Sequence, residues 1–227
     1  MSLEMSEIKN NKIKLLSKIK KIHESSFYKN ENLPKLIAVS KQQKDEKIIE
    51  ALECGQKMFG ENRIQEAEKR WDSILRKNQS IELHLIGPLQ TNKVKKALNL
   101  FDVVHTLDRQ SLAIEIAKNL KNEVKTKSFF IQVNTGKEPQ KSGVFPEKLD
   151  DFYTFCTKKL NIPIVGLMCI PPVDETSSIH FCYLKNLSKK LKLHFLSMGM
   201  STDYDEAIKF GATHLRVGTD FFGKRKI

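Results

Sequence analysis

Short apolar runs alternate along this chain with longer stretches in which apolar residues return every three or four positions. The first pattern marks buried strands and the second amphipathic helices. A helix is predicted over residues 4–28, where Ile8, Leu15, Ile19 and Ile22 share one face among lysines and asparagines. Leu36–Ser40 follows as a strand buried on both faces, set off by Pro34. A helix from about Asp45 carries Ile48, Ile49 and Leu52 inward and stops at Gly55. Lys57–Gly60 reads as the second strand, and Glu61-Asn62-Arg63 opens a helix with Ile64, Ala67, Trp71, Ile74 and Leu75.

The alternation continues. Glu82–Ile86 is the third strand, ending in Gly87-Pro88 and a short helix. Phe101–His105 is the fourth, with Thr106 or Asp108 capping a helix that carries Leu112, Ile116 and Leu120. Ser128–Val133 is the fifth, followed by Asn134, the polar loop Thr135–Gly143 and a helix from about Pro146. Ile164–Met168 is the sixth, before a helix over about Thr176 to Leu191. Leu193–Ser197 is the seventh, and Thr202–Asp205 a capping box for a helix ending at Gly211. Thr213–Val217 is the eighth. Eight such units with no linker between halves predict one (β/α)8 TIM barrel over residues 1–227, with an additional N-terminal helix. An open doubly wound sheet is the alternative, but it calls for a Gly-rich first turn, and Ser40-Lys41-Gln42 is not one.

Composition narrows the function classes. No apolar run approaches the roughly 18 residues that span a bilayer, and the first residues lack an apolar signal segment, so a cytoplasmic protein is expected. Cys54, Cys156, Cys169 and Cys182 are scattered without ligand spacing, which favours reduced thiols over a zinc site. A net charge of +12 invites a nucleic-acid reading. Only six of the 39 basic residues are Arg, and the lysines are spread along helix faces, so a solvated surface is the expectation.

In a parallel barrel the carboxyl ends of the strands share one mouth, where ligands bind. Lys41 stands at such an end, either as a solvated loop lysine or as a desolvated amine nucleophilic toward carbonyl compounds. Gly199-Met-Ser201 and Gly218-Thr219 stand at two others, each a plain turn or a phosphate-sized niche of free N–H groups and a hydroxyl. With Arg216 beside them, the joint placement suggests a phosphorylated aldehyde held as a Schiff base. Gly218 to Arg225 spells a near P-loop, but Arg225 stands where a Ser or Thr must meet magnesium, and no helix follows.

Ala38-Val-Ser-Lys41, Phe59-Gly-Glu-Asn62, His84-Leu-Ile-Gly-Pro-Leu-Gln90-Thr-Asn92-Lys93, Lys141-Ser-Gly143, Gly166-Leu-Met168, Ser197-Met-Gly-Met-Ser201 and Arg216-Val-Gly-Thr219 together resemble one family. It is the pyridoxal phosphate homeostasis protein family, whose barrel is similar to the N-terminal domain of alanine racemase. The resemblance runs from about residue 33 to 223. It implies pyridoxal 5′-phosphate (PLP) bound to Lys41, Ser201, Gly218 and Thr219 on the phosphate, and Arg216 facing the pyridine nitrogen. Asn62, His84 and Met168 match positions lining the pocket. For His84 a satisfied core histidine is the competing reading, and His105 reads as structural. Two departures stand out: Gln42-Gln43-Lys44 replaces a common Thr-Lys-Pro, and little chain after Gly223 is left to close the last side of the barrel.

Two functions fit. One is a non-catalytic PLP carrier, expected to be monomeric, that passes the cofactor to PLP-dependent apoenzymes. The other is a racemase-like enzyme, which needs a base on each face of the substrate α-carbon, whereas Lys41 serves only one. A cofactor-free aldolase would use the same lysine but leaves Arg216 unexplained. Nucleic-acid binding comes last.

Overall fold

The computed structural model describes residues 6–28, 30–77 and 80–224. Residues 4 and 5 of the predicted first helix, and Arg225 of the near P-loop, lie outside the described residues. Eight parallel strands close into a barrel in sequence order, each paired with the next and the last with the first. They are β1 (Lys35–Val39), β2 (Met58–Glu61), β3 (Glu82–Leu85), β4 (Val103–Leu107), β5 (Ser128–Gln132), β6 (Ile164–Met168), β7 (Phe195–Ser197) and β8 (His214–Val217). Closure is made by β1 against β8, with Leu36 opposite Leu215 and Ala38 opposite Val217.

The helices are α1 (Glu7–Glu24), α2 (Asp45–Glu53), α3 (Ile64–Lys77), α4 (Val94–Leu100), α5 (Gln110–Asn119), α6 (Leu149–Thr154), α7 (Ser177–Lys190), α8 (Tyr204–Lys209) and α9 (Thr219–Phe222). Each strand turns one face to them. Leu36, Ala38, Leu83, Leu85, Leu196, Leu215 and Val217 join the apolar faces of the helices in one continuous core. The other face lines the barrel interior, where Val103, Phe130 and Met168 form a small second cluster. Beside it lie His84, His105, Ser197, His214 and Arg216, all buried. The alternation His214-Leu215-Arg216-Val217 is thus polar toward the axis and apolar toward the helices, the two-residue period of a strand.

The N-terminal helix does more than decorate. Because α9 is a single turn, the helical layer beside β8 is completed by α1, which packs on α2, α8 and α9. Ser6 caps it, accepting the Lys9 N–H at 3.3 Å. Glu50 of α2 accepts the Ile8 N–H at 3.3 Å, and Lys12 donates to the Cys54 carbonyl past the end of α2. Asn11 donates to the Phe221 carbonyl of α9. The helix stops at Glu24, before the predicted residue 28, because Ser25 and Ser26 turn their hydroxyls back onto the last carbonyls.

Three local expectations change. Glu61 ends β2 fully buried and does not open a helix. Thr106 lies within β4 and donates to the Gly87 carbonyl, so neither it nor Asp108 caps α5. The Thr202–Asp205 capping box does not form, since Asp203 accepts the Met200 N–H behind it at 2.6 Å.

Candidate functional site

At the carboxyl ends of β1, β2, β7 and β8 a cavity of about 270 Å³ opens, and six of the eight residues singled out from sequence line it: Lys41, Asn62, Ser201, Arg216, Gly218 and Thr219. Val39, Ile86 and Ile170 supply apolar wall. A second cleft of about 300 Å³ adjoins it across Asn62, Ile86 and Ile170 and continues past Thr106, Gln132, Asn134 and Lys141.

Lys41 is presented by a loop fastened at both ends. Arg70 of α3 donates to the Ser40 carbonyl at 3.0 Å and to the Gln43 carbonyl at 2.7 Å, spanning the lysine. Its remaining partners are Glu61 at 3.0 Å and Asp45 at 2.9 Å. The buried Glu61 carboxylate also accepts from Ser40 Oγ and Trp71 Nε1. A buried charge is tolerated only when paired and hydrogen-bonded, and one Glu61 oxygen meets that condition three times over. Within the fastened loop Gln42 takes a left-handed backbone with φ of 58°, a strained setting for a side chain with a Cβ. The departure at Gln42-Gln43 therefore leaves the lysine in place through backbone contacts, which do not depend on those side chains.

Arg216 forms the floor. It is 3% exposed and donates to Ser197 Oγ at 2.8 Å and to the Cys169 carbonyl at 2.9 Å. Burial pulls the guanidinium down from its ordinary pKa, against the opposing pull of Cys169 and Asp203. The Cys169 thiol is itself pushed up to about 12 by burial. Both hydrogen-bond acceptors, a hydroxyl and a backbone carbonyl, are neutral, and Asp203 is the acidic group that acts on the guanidinium.

Along the same cavity Ser201 Oγ accepts the Gly218 N–H at 3.3 Å and the Asp220 N–H at 3.5 Å, which fastens the chain after β7 to the start of α9. A Cβ on Gly218 would meet nothing closer than Val39 at 3.6 Å. Gly199, read from sequence as part of a niche, serves packing instead: at φ of +91° its Cα presses on α8, where a Cβ would sit 2.6 Å from Ala207 Cβ.

His84 and Met168 are not brought to this cavity. His84 is fully buried one layer deeper, its Nδ1 2.9 Å from His105 Nε2. Met168 packs against Val103 and Phe130 inside the barrel. The walls at those two strands are formed two residues further on, by Ile86 and Ile170. Glu61 and Arg70 went unrecognised in the sequence. Glu61 was visible in Phe59-Gly-Glu-Asn62, but a carboxylate after an apolar run carries no mark of burial.

Residues 18–226 match the family described as "Alanine racemase, N-terminal domain". The "Pyridoxal phosphate homeostasis protein" of Aquifex aeolicus (strain VF5) is 40% identical over 223 residues, covering 94% of this chain and 96% of that one. Among solved structures, PipY of Synechococcus elongatus PCC7942 with PLP bound is similar at a TM-score of 0.80 and 32% identity, over 96% of this chain and 100% of that one. An alanine racemase of Clostridium difficile 630 shares the fold at a TM-score of 0.68 with 15% identity, and this chain covers 57% of it. The likeness to the full-length relatives is one of sequence and of fold together, and this chain belongs to the pyridoxal phosphate homeostasis protein family.

Proposed function

We propose that this protein binds PLP and serves its homeostasis, holding the cofactor on Lys41 and passing it to apoenzymes in the cytoplasm without turnover of its own. The observation that carries the reading is one cavity lined together by the Lys41 amine, the Ser201 and Thr219 hydroxyls, Gly218 and the Arg216 guanidinium. The two adjoining clefts together reach the volume of a small-ligand site. In this reading the Lys41 amine condenses with the aldehyde: a C=N bond forms and water leaves. Ser201, Gly218 and Thr219 grip the phosphate through hydroxyls and N–H groups. PLP supplies an electron sink when its ring nitrogen is protonated.

Arg216 offers only donors, so it keeps that nitrogen an acceptor and weakens the sink. This supports holding over turnover. A racemase also needs a second base across the substrate, and Tyr28, Tyr153, Tyr183 and Tyr204 all lie away from the cavity lining. The test is an absorbance spectrum with added PLP, before and after borohydride, beside Lys41→Ala, with an assay of amino-acid racemisation on the same samples. A visible Schiff-base band that borohydride fixes on Lys41, absent in the variant, with no racemisation, is expected. No band in the wild type would sink PLP binding, and steady racemisation would replace the carrier with an enzyme.

A further inference from the structure

Beneath the cavity floor, five side chains from four strands are joined end to end through the barrel interior. Arg216 Nη1 meets Ser197 Oγ at 2.8 Å, and Ser197 Oγ meets His105 Nδ1 at 2.8 Å. His105 Nε2 meets His84 Nδ1 at 2.9 Å. His84 Nε2, with no aligned partner of its own, lies 3.2 Å from Glu82 Oε1. Ser197, His105 and His84 are wholly buried, whereas Glu82 begins β3 at the opposite end of the barrel with its side chain one-third exposed.

Counting protons gives the chain a direction. Arg216 can only donate, so Ser197 Oγ accepts from it. Glu82 is held below the usual carboxylate range, chiefly by His84, and is an acceptor. His84 Nε2 therefore carries hydrogen toward it, and in a singly protonated imidazole Nδ1 then accepts from His105 Nε2–H. Burial, with His84, His214 and Arg216 around it, holds His105 neutral. Its Nδ1 then accepts the Ser197 hydroxyl proton. The three hydrogen bonds from Arg216 to His84 point the same way, each polarising the next, and the His84–Glu82 contact lies at their end. The reverse order would set His84 Nε2 lone pair against carboxylate and make Ser197 accept twice with its own proton unused.

We propose that Ser197, His105, His84 and Glu82 are positioning residues for Arg216, a one-way chain that fixes the guanidinium at the cavity floor and sets the electronics of the ligand's ring nitrogen from the far end of the barrel. This rests on the PLP reading for its last link only. An interior filled by neighbours of Val103, Phe130 and Met168 would pack without such a chain, and a half-satisfied buried network is costly. The chain ends on the one charged side chain in the cavity floor, which gives the polar interior its purpose.

The test reads histidine tautomers by two-bond 1H–15N correlation in ligand-free protein, and then the 15N signal of labelled PLP once bound. The chain requires the Nε2–H tautomer at both His84 and His105 in the wild type. Glu82→Lys, at the exposed end, puts a donor where the acceptor was and flips both to Nδ1–H. Ser197→Ala, a milder change, moves the pyridine 15N signal and raises the Kd for PLP roughly tenfold, the loss of one charge-assisted hydrogen bond, with Lys41 still fixed by borohydride. Wild-type His105 as an Nδ1–H tautomer, or an unmoved His105 in Glu82→Lys, would overturn the chain. Flipped tautomers with an unmoved pyridine signal in both variants would overturn its role. Failure of the wild type to take up PLP would overturn the last link together with the functional reading, while the tautomers still decide whether the chain orients Arg216.

Discussion

Acidification should unfold this protein through its barrel interior, and His214 sets the size of the effect. The side chain is 5% exposed, and burial, with His84, Lys35 and Arg216 nearby, pulls its pKa down to about 3 despite the counter-pull of Glu82. In the unfolded chain it returns to about 6.5. Above that value both states are neutral and nothing is gained or lost. Below it the unfolded chain binds a proton that the folded one refuses, so stability falls with pH until about 3. At pH 5 the gap is about 1.5 units, or about 2 kcal/mol from this residue. His105, also lowered well below its ordinary value by burial, adds to the loss in the same direction. A window of pH 7 to 5 keeps most ordinary carboxylates ionised. Urea midpoints across it should fall for the wild type, and His214→Gln should lose about 2 kcal/mol less. Equal losses in the two proteins, or a flat wild-type profile, would show that the interior histidine is not held neutral.

Arg70→Met leaves the buried Glu61 charge without its cation and should cost about 3–5 kcal/mol in urea unfolding, with Glu61→Leu in the same chain recovering part of it. A loss under about 1 kcal/mol would mean that Glu61 is neutral in the fold. Gly199→Ala drives a Cβ into Ala207 at a positive φ and should cost at least about 2 kcal/mol, whereas an unchanged melting temperature would refute the close approach of β7 and α8. At pH 8 a thiol reagent should label the half-buried Cys54 and Cys182 and spare Cys156 and Cys169, both raised to about 12 by burial. Labelling of all four at one rate would contradict that burial.

The order of strands and helices was legible because burial imposes a period on apolar residues, and the barrel followed from the count. What the period does not reveal is depth. The resemblance sets His84 and Met168 among the residues lining the pocket, and both sit near the ends of their strands, yet the ladders run on past them. Ile86 N donates to the Glu61 carbonyl and Val133 N to the Met168 carbonyl. A step of two residues stays on the same face but moves roughly 6.6 Å along the axis, one full layer of side chains. Lys41, Ser201, Arg216 and Gly218 do line the cavity, three of them in the segments that follow β1, β7 and β8. The Glu61–Arg70 pair was illegible for a different reason: the two stand only nine residues apart, on β2 and α3, but their meeting depends on how α3 folds back on the barrel.

The seat of α1 has a consequence for how the protein is made. Asn11 and the Phe221 carbonyl are 210 residues apart in sequence, yet they are bonded in the fold. The helix synthesised first among the described elements finds its place only after β8 and α9 have emerged. Closing so long a loop is slow and entropically disfavoured until the strands between are paired. Although α1 can meet α2 earlier, its docking on α8 and α9 is expected to close folding, and its release to open unfolding. Amide exchange in α1 should run ahead of that in β1 and β8, and the reverse order would refute this sequence of events. Until the helix docks, Ile8, Leu15 and Ile19 stay exposed on the growing chain, which makes the nascent protein, far more than the finished one, the form that needs protection from aggregation.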